Sequence, residues 1–208
     1  MRLLFCRHAE SEANVLRAFF NRGSTHPLTS NGRLQAADLA HRMSAEGVTH
    51  IYSSPLQRAL QTAEIIGKAL DLPVTIEPLL REYDVGWLEG HSYADTFEEY
   101  ERVETAWSLG MLDERIVGGE SAREITSRVN SVLQALLANR LQSDTILLVS
   151  HGGTLRAALP NILTGLTAAA ASRYLGHCEV AAADLIGREF IAKTWGDLRV
   201  KGSGGLLF

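Results

Sequence analysis

Three short apolar runs each stop at a cluster of residues with chemical potential, and this recurrence constrains the fold more than any other feature. Arg2 to Cys6 runs into Arg7-His8-Ala9-Glu10, Thr49 to Ser53 into Ser54-Pro55 with Arg58 one turn on, and Thr145 to Val149 into Ser150-His151-Gly152-Gly153. Runs of this length separated by stretches of helical periodicity predict buried strands alternating with helices. A helix is expected from near Thr29 to Gly47, with Ala36, Leu39, Ala40 and Met43 on one face. A second is expected with Ser54 as N-cap, Pro55 at its first position and Gln57 closing a capping box. Val74 to Ile76 reads as a third strand. A helix from Glu120 turns Ile125, Val129, Val132, Leu133 and Leu136 inward, another follows Gly153, and a strand pair, Val180 to Ile186 and Glu189 to Thr194, turns at Gly187. The predicted class is α/β: a three-layer sandwich, mainly parallel in its central sheet, with helices on both faces. One domain over 1–208 is expected. Its segment from Glu82 to Gly119 reads as irregular and acidic, a small cap-like insertion around 83–119.

Composition removes several classes of function. With 46% hydrophobic and 21% charged residues, 208 residues suffice for a core without disulfide or metal staples. Twenty basic against 24 acidic residues, with no dense Lys/Arg run, argue against nucleic acid or an anionic membrane as partner. No apolar run is long enough to span a bilayer, and Met1 to Cys6 is cut off by Arg7 before it could act as a secretory signal. Cys6 and Cys178, far apart in sequence, read as reduced and buried. The expected location is the cytoplasm.

In open α/β sheets, ligands bind beyond the carboxyl ends of the strands. Two histidines and two arginines would be delivered there by separate strands. Arg58 falls in the first turn of a helix, where the positive end of the dipole disfavours a cation unless an anion is near. With Arg7 it can grip phosphate bidentately without losing charge. Taken alone, either arginine reads more readily as a surface residue, Arg58 paired with Glu64 or left in solvent; together with the histidines that reading weakens. His8, Glu10 and His151 match no zinc spacing, and no dinucleotide or nucleotide-triphosphate loop pattern occurs, so neither a metal nor a cofactor is expected.

The same residues resemble the histidine phosphatase superfamily, the phosphoglycerate mutase-like proteins. Arg7-His8-Ala9-Glu10 with Asn14 is similar to its opening motif, with Ala where Gly is commoner. Leu28-Thr29 with Gly32, Ser53-Ser54-Pro55-Leu56 with Arg58, Leu80-Arg81-Glu82 with Trp87-Leu88-Glu89-Gly90, Gly118-Gly119-Glu120-Ser121 and Ser150-His151-Gly152-Gly153 follow in order. The resemblance implies His8 as nucleophile, Arg7, Arg58 and His151 as a phosphate pocket, and Glu82 as proton donor. It further implies Asn14 as a phosphate contact and Gly152 as the backbone that orients the nucleophilic ring. His177 stands where the family often has a small polar residue; His26, His41, His50 and His91 carry no motif logic.

The chemistry this implies is phosphoryl transfer to His8, neutral at the attacking nitrogen, with His151 protonated and Glu82 first protonating the leaving oxygen and then activating water. The expected activity is hydrolysis of a small phosphomonoester, without metal. The alternatives are a phosphoglycerate mutase and, more distantly, an inactive phospho-ligand binding module. A mutase needs several extra cations for a doubly charged ester, and the insertion offers mainly Asp95, Glu98, Glu99, Glu101 and Glu104. Trp87, Tyr93, Phe97, Tyr100 and Trp107 could wall a pocket or pack the cap. The tail from Gly202 to Phe208 is read as frayed or docked on a neighbour, so the oligomeric state, including a homodimer, stays open.

Overall fold

The computed structural model describes residues 1–23, 26–168, 172–200 and the backbone of 206–207. Strand β1 (Arg2–Arg7) is followed by a one-turn helix α1 (Glu12–Leu16), helix α2 (Ser30–Met43), β2 (His50–Ser53), α3 (Gln57–Leu70) and β3 (Val74–Ile76). After a segment carrying α4 (Phe97–Ser108) come α5 (Ala122–Asn139), β4 (Thr145–Ser150), α6 (Gly152–Ala158), β5 (Val180–Ile186), β6 (Glu189–Trp195), β7 (Leu198–Val200) and β8 (Leu206–Leu207). They form one sheet in the order β3-β2-β4-β1-β5-β6-β7-β8. The first four strands are parallel and the rest add antiparallel, beginning with β5 on β1. Of the tail, Leu206–Leu207 pairs with Leu198–Val200 of the same chain; residues 201–205 and 208 lie outside the described residues.

Period-two alternation assigns each strand side chain to a layer. Leu3, Phe5, Ile146 and Leu148 pack with Val132, Leu133 and Leu136 of α5 and Leu155 of α6. Leu4, Cys6, Leu147 and Val149 face the opposite way, onto Ala36, Leu39 and Ala40 of α2 and Ala59, Ala63 and Ile66 of α3. At about 1.5–3 kcal/mol for each large apolar side chain removed from water, these two layers hold the strand ends in register. The helix boundaries follow from their caps: Thr29 accepts from Gly32 N at 2.9 Å to start α2, and Ser121 with Glu124 forms a capping box for α5.

Two sequence expectations need correction. Ser54 is not an N-cap: its Oγ accepts from Leu56 N and bonds His151 across the strand ends, so α3 starts two residues later than expected, at Gln57, with no side-chain cap. Nor is 83–119 irregular throughout, because Phe97–Ser108 is helical. Tyr100, Val103, Glu104 and Trp107 are buried at helical spacing. That stripe was hidden by an acidic residue, Glu104, standing at one of its inward positions. Tyr83, Val85, Leu88, Tyr100, Val103, Trp107 and Ile116 form a third apolar cluster, which rests on α5 and α6 through Ile125, Val129 and Ala157.

Candidate active site

The carboxyl ends of β1, β2 and β4 meet at one edge of the parallel half, and a cavity of about 440 Å³ opens above them. Arg7, His8, Asn14, Arg58, Glu82 and Gly152 all line it. His151 lies just behind, fully buried, with its ring centroid 5.0 Å from that of His8.

His8 is held by backbone. Its Nδ1 lies 2.7 Å from the Ala9 carbonyl, which can only accept, so this nitrogen carries the proton and Nε2 keeps a lone pair. Arg58 Nε donates to that lone pair at 3.2 Å, and Arg58 Nη1 donates to the Phe20 carbonyl at 2.9 Å. Burial, then Arg58, then Arg7 push the His8 ring well below the ordinary histidine range, so it stays neutral at working pH. The orienting group is thus the Ala9 carbonyl and not the Gly152 backbone. Gly152 serves differently: a Cβ there would lie 3.2 Å from Arg7 Nε, so its bareness lets the guanidinium lie across the helix start.

Arg7 donates from Nη1 to the Leu175 carbonyl at 2.7 Å, while its Nε is buried without a partner among the described residues. The His151 Nδ1 is likewise unpartnered, and its Nε2 is 2.7 Å from Ser54 Oγ. Buried polar nitrogens without partners are costly unless a ligand meets them. The expectation of a protonated His151 is not met by the protein's own groups: burial, then Arg58 and His8, push it well below the usual range. An anion entering the cavity would supply an opposing charge and raise it. Asn14 accepts from Ser11 N at 3.0 Å through its oxygen, which leaves its amide as a donor at the cavity wall.

Glu82 is gripped by the start of α6. Its Oε1 accepts from Thr154 N at 2.7 Å, Thr154 Oγ1 at 2.9 Å and Tyr83 N at 3.0 Å, and its Oε2 accepts from Gly153 N at 3.1 Å. Gly153 permits this approach, since a Cβ would collide with the Tyr83 ring and come to 3.0 Å from Glu82 Oε1. Behind it, Glu120 accepts from Arg81 at 2.7 Å and from buried Arg128 at 2.9 Å, and Arg128 reaches Thr154 at 3.2 Å.

The rest of the cavity wall was legible only in part. Arg17, Phe19, Phe20 and Asn21 line it from the segment after α1, and Tyr83, Tyr93, Tyr100 and Tyr174 from the cap side. Of the aromatics proposed from sequence, Tyr93 and Tyr100 do line it. Trp87 and Phe97 are exposed, and Trp107 packs in the cap with its indole N–H on the Glu114 carbonyl. His177 packs against the His8 ring, 5.7 Å between centroids, but is not part of the lining. Glu10 is engaged with Thr29 at 2.7 Å, away from the cavity lining. Glu89, a motif residue without an assigned role, accepts the backbone N–H groups of Asn21 and Arg22 at 3.0 Å each and so pins the segment whose Phe20 carbonyl holds Arg58.

The model of the histidine phosphatase superfamily, branch 1, matches residues 3–198. The chain belongs to this superfamily. Histidine phosphatase relatives divide between two activities. The chain is 38% identical over 196 residues to a Proteus mirabilis protein named "Probable phosphoglycerate mutase GpmB", covering 94% of this chain and 90% of that one. Among solved structures it is similar to mycobacterial glucosyl-3-phosphoglycerate phosphatase in complex with VO3, with a TM-score of 0.83 and 25% identity over 94% of this chain and 98% of the other. It is also similar to the alpha-ribazole phosphatase of Shigella flexneri, with a TM-score of 0.76 and 27% identity over 95% and 96% of the two chains. Superfamily members are phosphatases or mutases, so the chain is an enzyme of phosphoryl transfer. Among the described residues no helix is long and apolar enough to cross a membrane.

Proposed function

We propose that the protein is a phosphomonoesterase that accepts the phosphoryl group on His8 Nε2 and hydrolyses the phosphohistidine, with Glu82 as general acid and then base. The observation that carries this is the fixed, neutral His8, whose unprotonated nitrogen is met by Arg58 in a cavity shared with Arg7 and Glu82. Arg7, Arg58 and Asn14 would take the three equatorial oxygens, and the buried Nδ1 of His151 would gain a proton as the dianion enters. Glu82 Oε2, which accepts one hydrogen bond against three at Oε1, is the oxygen suited to carry the transferable proton. The arginines supply the charge that a metal would otherwise provide.

A mutase reading is favoured by the names of the relatives. Against it stands the lining: beyond Arg7 and Arg58, Arg17 is the one further arginine or lysine among the described residues of the cavity wall, which otherwise carries the rings of Phe19, Phe20, Tyr83, Tyr93, Tyr100 and Tyr174. A doubly charged ester retained through both half-reactions would need more.

The test is product analysis with trapping of the intermediate. Under excess chelator, an alkyl phosphate should release inorganic phosphate, and labelled substrate quenched rapidly should leave acid-labile, base-stable phosphate on the wild type and none on His8→Ala. The rate of His8→Ala should fall by about 10⁴-fold or more. Label on His151 would reassign the nucleophile. Isomerised phosphoglycerate in excess of free phosphate would establish the mutase, and loss of activity restored by zinc or magnesium would overturn metal independence.

A further inference from the structure

The cap side of the cavity is built from three tyrosines around one buried carboxylate. Tyr83, Tyr100 and Tyr174 line the cavity, and Glu104 of α4 stands behind them at 5% exposure. Tyr83 donates to Glu104 Oε1 at 3.0 Å, and Tyr174 to Oε2 at 3.2 Å. Arg156 of α6 closes the charge, 2.5 Å from Glu104 and stacked over the Tyr174 ring at 4.3 Å. Burial pushes all three phenols up, so each keeps its proton.

The proton count then decides the polarity of this wall. Burial pushes Glu104 up, while the Arg156 guanidinium and the two phenol donors favour its ionised form. As a carboxylate it only accepts, so Tyr83 and Tyr174 turn their protons onto it. Tyr174 can therefore meet the Tyr100 hydroxyl, 2.5 Å away, only as acceptor, and the Tyr100 proton points at Tyr174. No phenol proton is left for the cavity. What the wall can offer a ligand is lone pairs, beside the aromatic faces of Phe19 and Tyr93.

We propose that this end recognises an uncharged, hydroxyl-bearing ring such as a sugar, which donates to the Tyr100 oxygen, and that it disfavours a carboxylate or second phosphate, which would face the lone pairs of the tyrosines with only the exposed Arg17 to offset them. Glu104 is the positioning residue that sets this polarity. The proposal rests on the phosphatase reading of the same site and narrows it to a substrate class. Rejection through unpaired acceptors is a stronger filter than an apolar fit, because a buried polar group left unmatched costs more than a lost methylene.

The experiment compares kcat/KM for glucose 6-phosphate, cyclohexylmethyl phosphate and 3-phosphoglycerate, with p-nitrophenyl phosphate as reference. The wild type should prefer glucose 6-phosphate to each of the other two by about tenfold or more. Tyr100→Phe should cut the ratio of glucose 6-phosphate to cyclohexylmethyl phosphate by roughly five- to tenfold. Glu104→Gln adds an amide donor and lets a phenol proton turn outward, so the ratio of 3-phosphoglycerate to glucose 6-phosphate should rise. Tyr174→Phe should raise that ratio too, since the Tyr100 proton loses its acceptor, and it provides the reading if a change on α4 unfolds the cap. Turnover of p-nitrophenyl phosphate with equal rates on the three esters, a preference for 3-phosphoglycerate, or ratios unmoved in the variants would overturn the proposal. Failure on p-nitrophenyl phosphate would instead overturn the phosphatase reading itself, and this inference with it.

Discussion

The two ends of the cavity are made in different ways. At the phosphoryl end, His8, Arg58 and His151 stand within a few residues of strand termini whose register is set by two packed layers. Their side chains are steered by main-chain groups: the Ala9 and Phe20 carbonyls, and the N–H groups of α6 that hold Glu82. At the other end the wall comes from three distant pieces of chain: residues 17–21 and the segment from Tyr83 to α4, which main-chain bonds such as Tyr93 N to the Arg17 carbonyl tie together, and Tyr174, which is joined to them by side chains alone through Glu104 and Tyr100. Under the proposed function the first end would carry one unvarying reaction and the second would choose the leaving group. Geometry fixed by backbone tolerates little change, whereas a side-chain wall can be rebuilt without moving the sheet.

The largest effect that would break this division is expected at Glu82. A poor alcohol leaving group needs its proton, so Glu82→Gln should slow alkyl phosphate hydrolysis by about 10²–10⁴-fold. An activated aryl phosphate needs it less and should give a burst of alcohol followed by slow turnover, read by pre-steady-state kinetics. The structure adds a cost, since an amide nitrogen in place of Oε2 would face the Gly153 N–H. Equal losses on both substrates without a burst would make Glu82 a structural clamp for α6.

A smaller effect separates the two ends by pH. An unfolded histidine titrates near 6.5, while burial and the arginines hold His8 and His151 well below this, and burial followed by Arg7 holds His177 at about 4. Below about pH 6.5 the unfolded chain takes up protons that these rings refuse. Stability should therefore be level near pH 7 to 8 and fall as pH drops, by up to about 1.4 kcal/mol per pH unit for each histidine. The tyrosine end has the opposite sign: above about pH 10 the unfolded phenols lose protons that Tyr83 and Tyr100 keep, so stability falls as pH rises. Denaturant melts across pH would show two limbs, and Tyr83→Phe should flatten only the alkaline one. An acid range level from pH 7 to 5 would mean that the phosphoryl end pays nothing for its buried rings.

The smallest effect tests how the ends are coupled. Glu89→Gln removes one of the two acceptors that pin Asn21 and Arg22, and through them the Phe20 carbonyl on Arg58. KM for phosphomonoesters should rise by roughly three- to tenfold, with kcat changed less. A fall in kcat alone would place Glu89 in the chemistry.

Sequence was sufficient wherever function rides on periodic local structure. The apolar runs of β1, β2 and β4 can be buried only as neighbouring strands between helices, so whatever follows each run is carried to the same edge. His8, Arg58 and His151 were therefore legible, and so was Glu82 through the motif around it. The roles of Ser54 and Gly152 were misread because a cap and a backbone contact are judged by neighbours in sequence, while Ser54 is spent on His151, 97 residues away, and Gly152 makes room for Arg7. Helix α4 was missed for a related reason: Glu104 breaks the apolar stripe and is tolerated in the interior only because Arg156, Tyr83 and Tyr174 meet it there. The far wall of the cavity was decided by tertiary structure alone. Hydrogen bonds among side chains distant in sequence have no period and no fixed spacing, and the direction of a phenol proton exists only once every partner is in place.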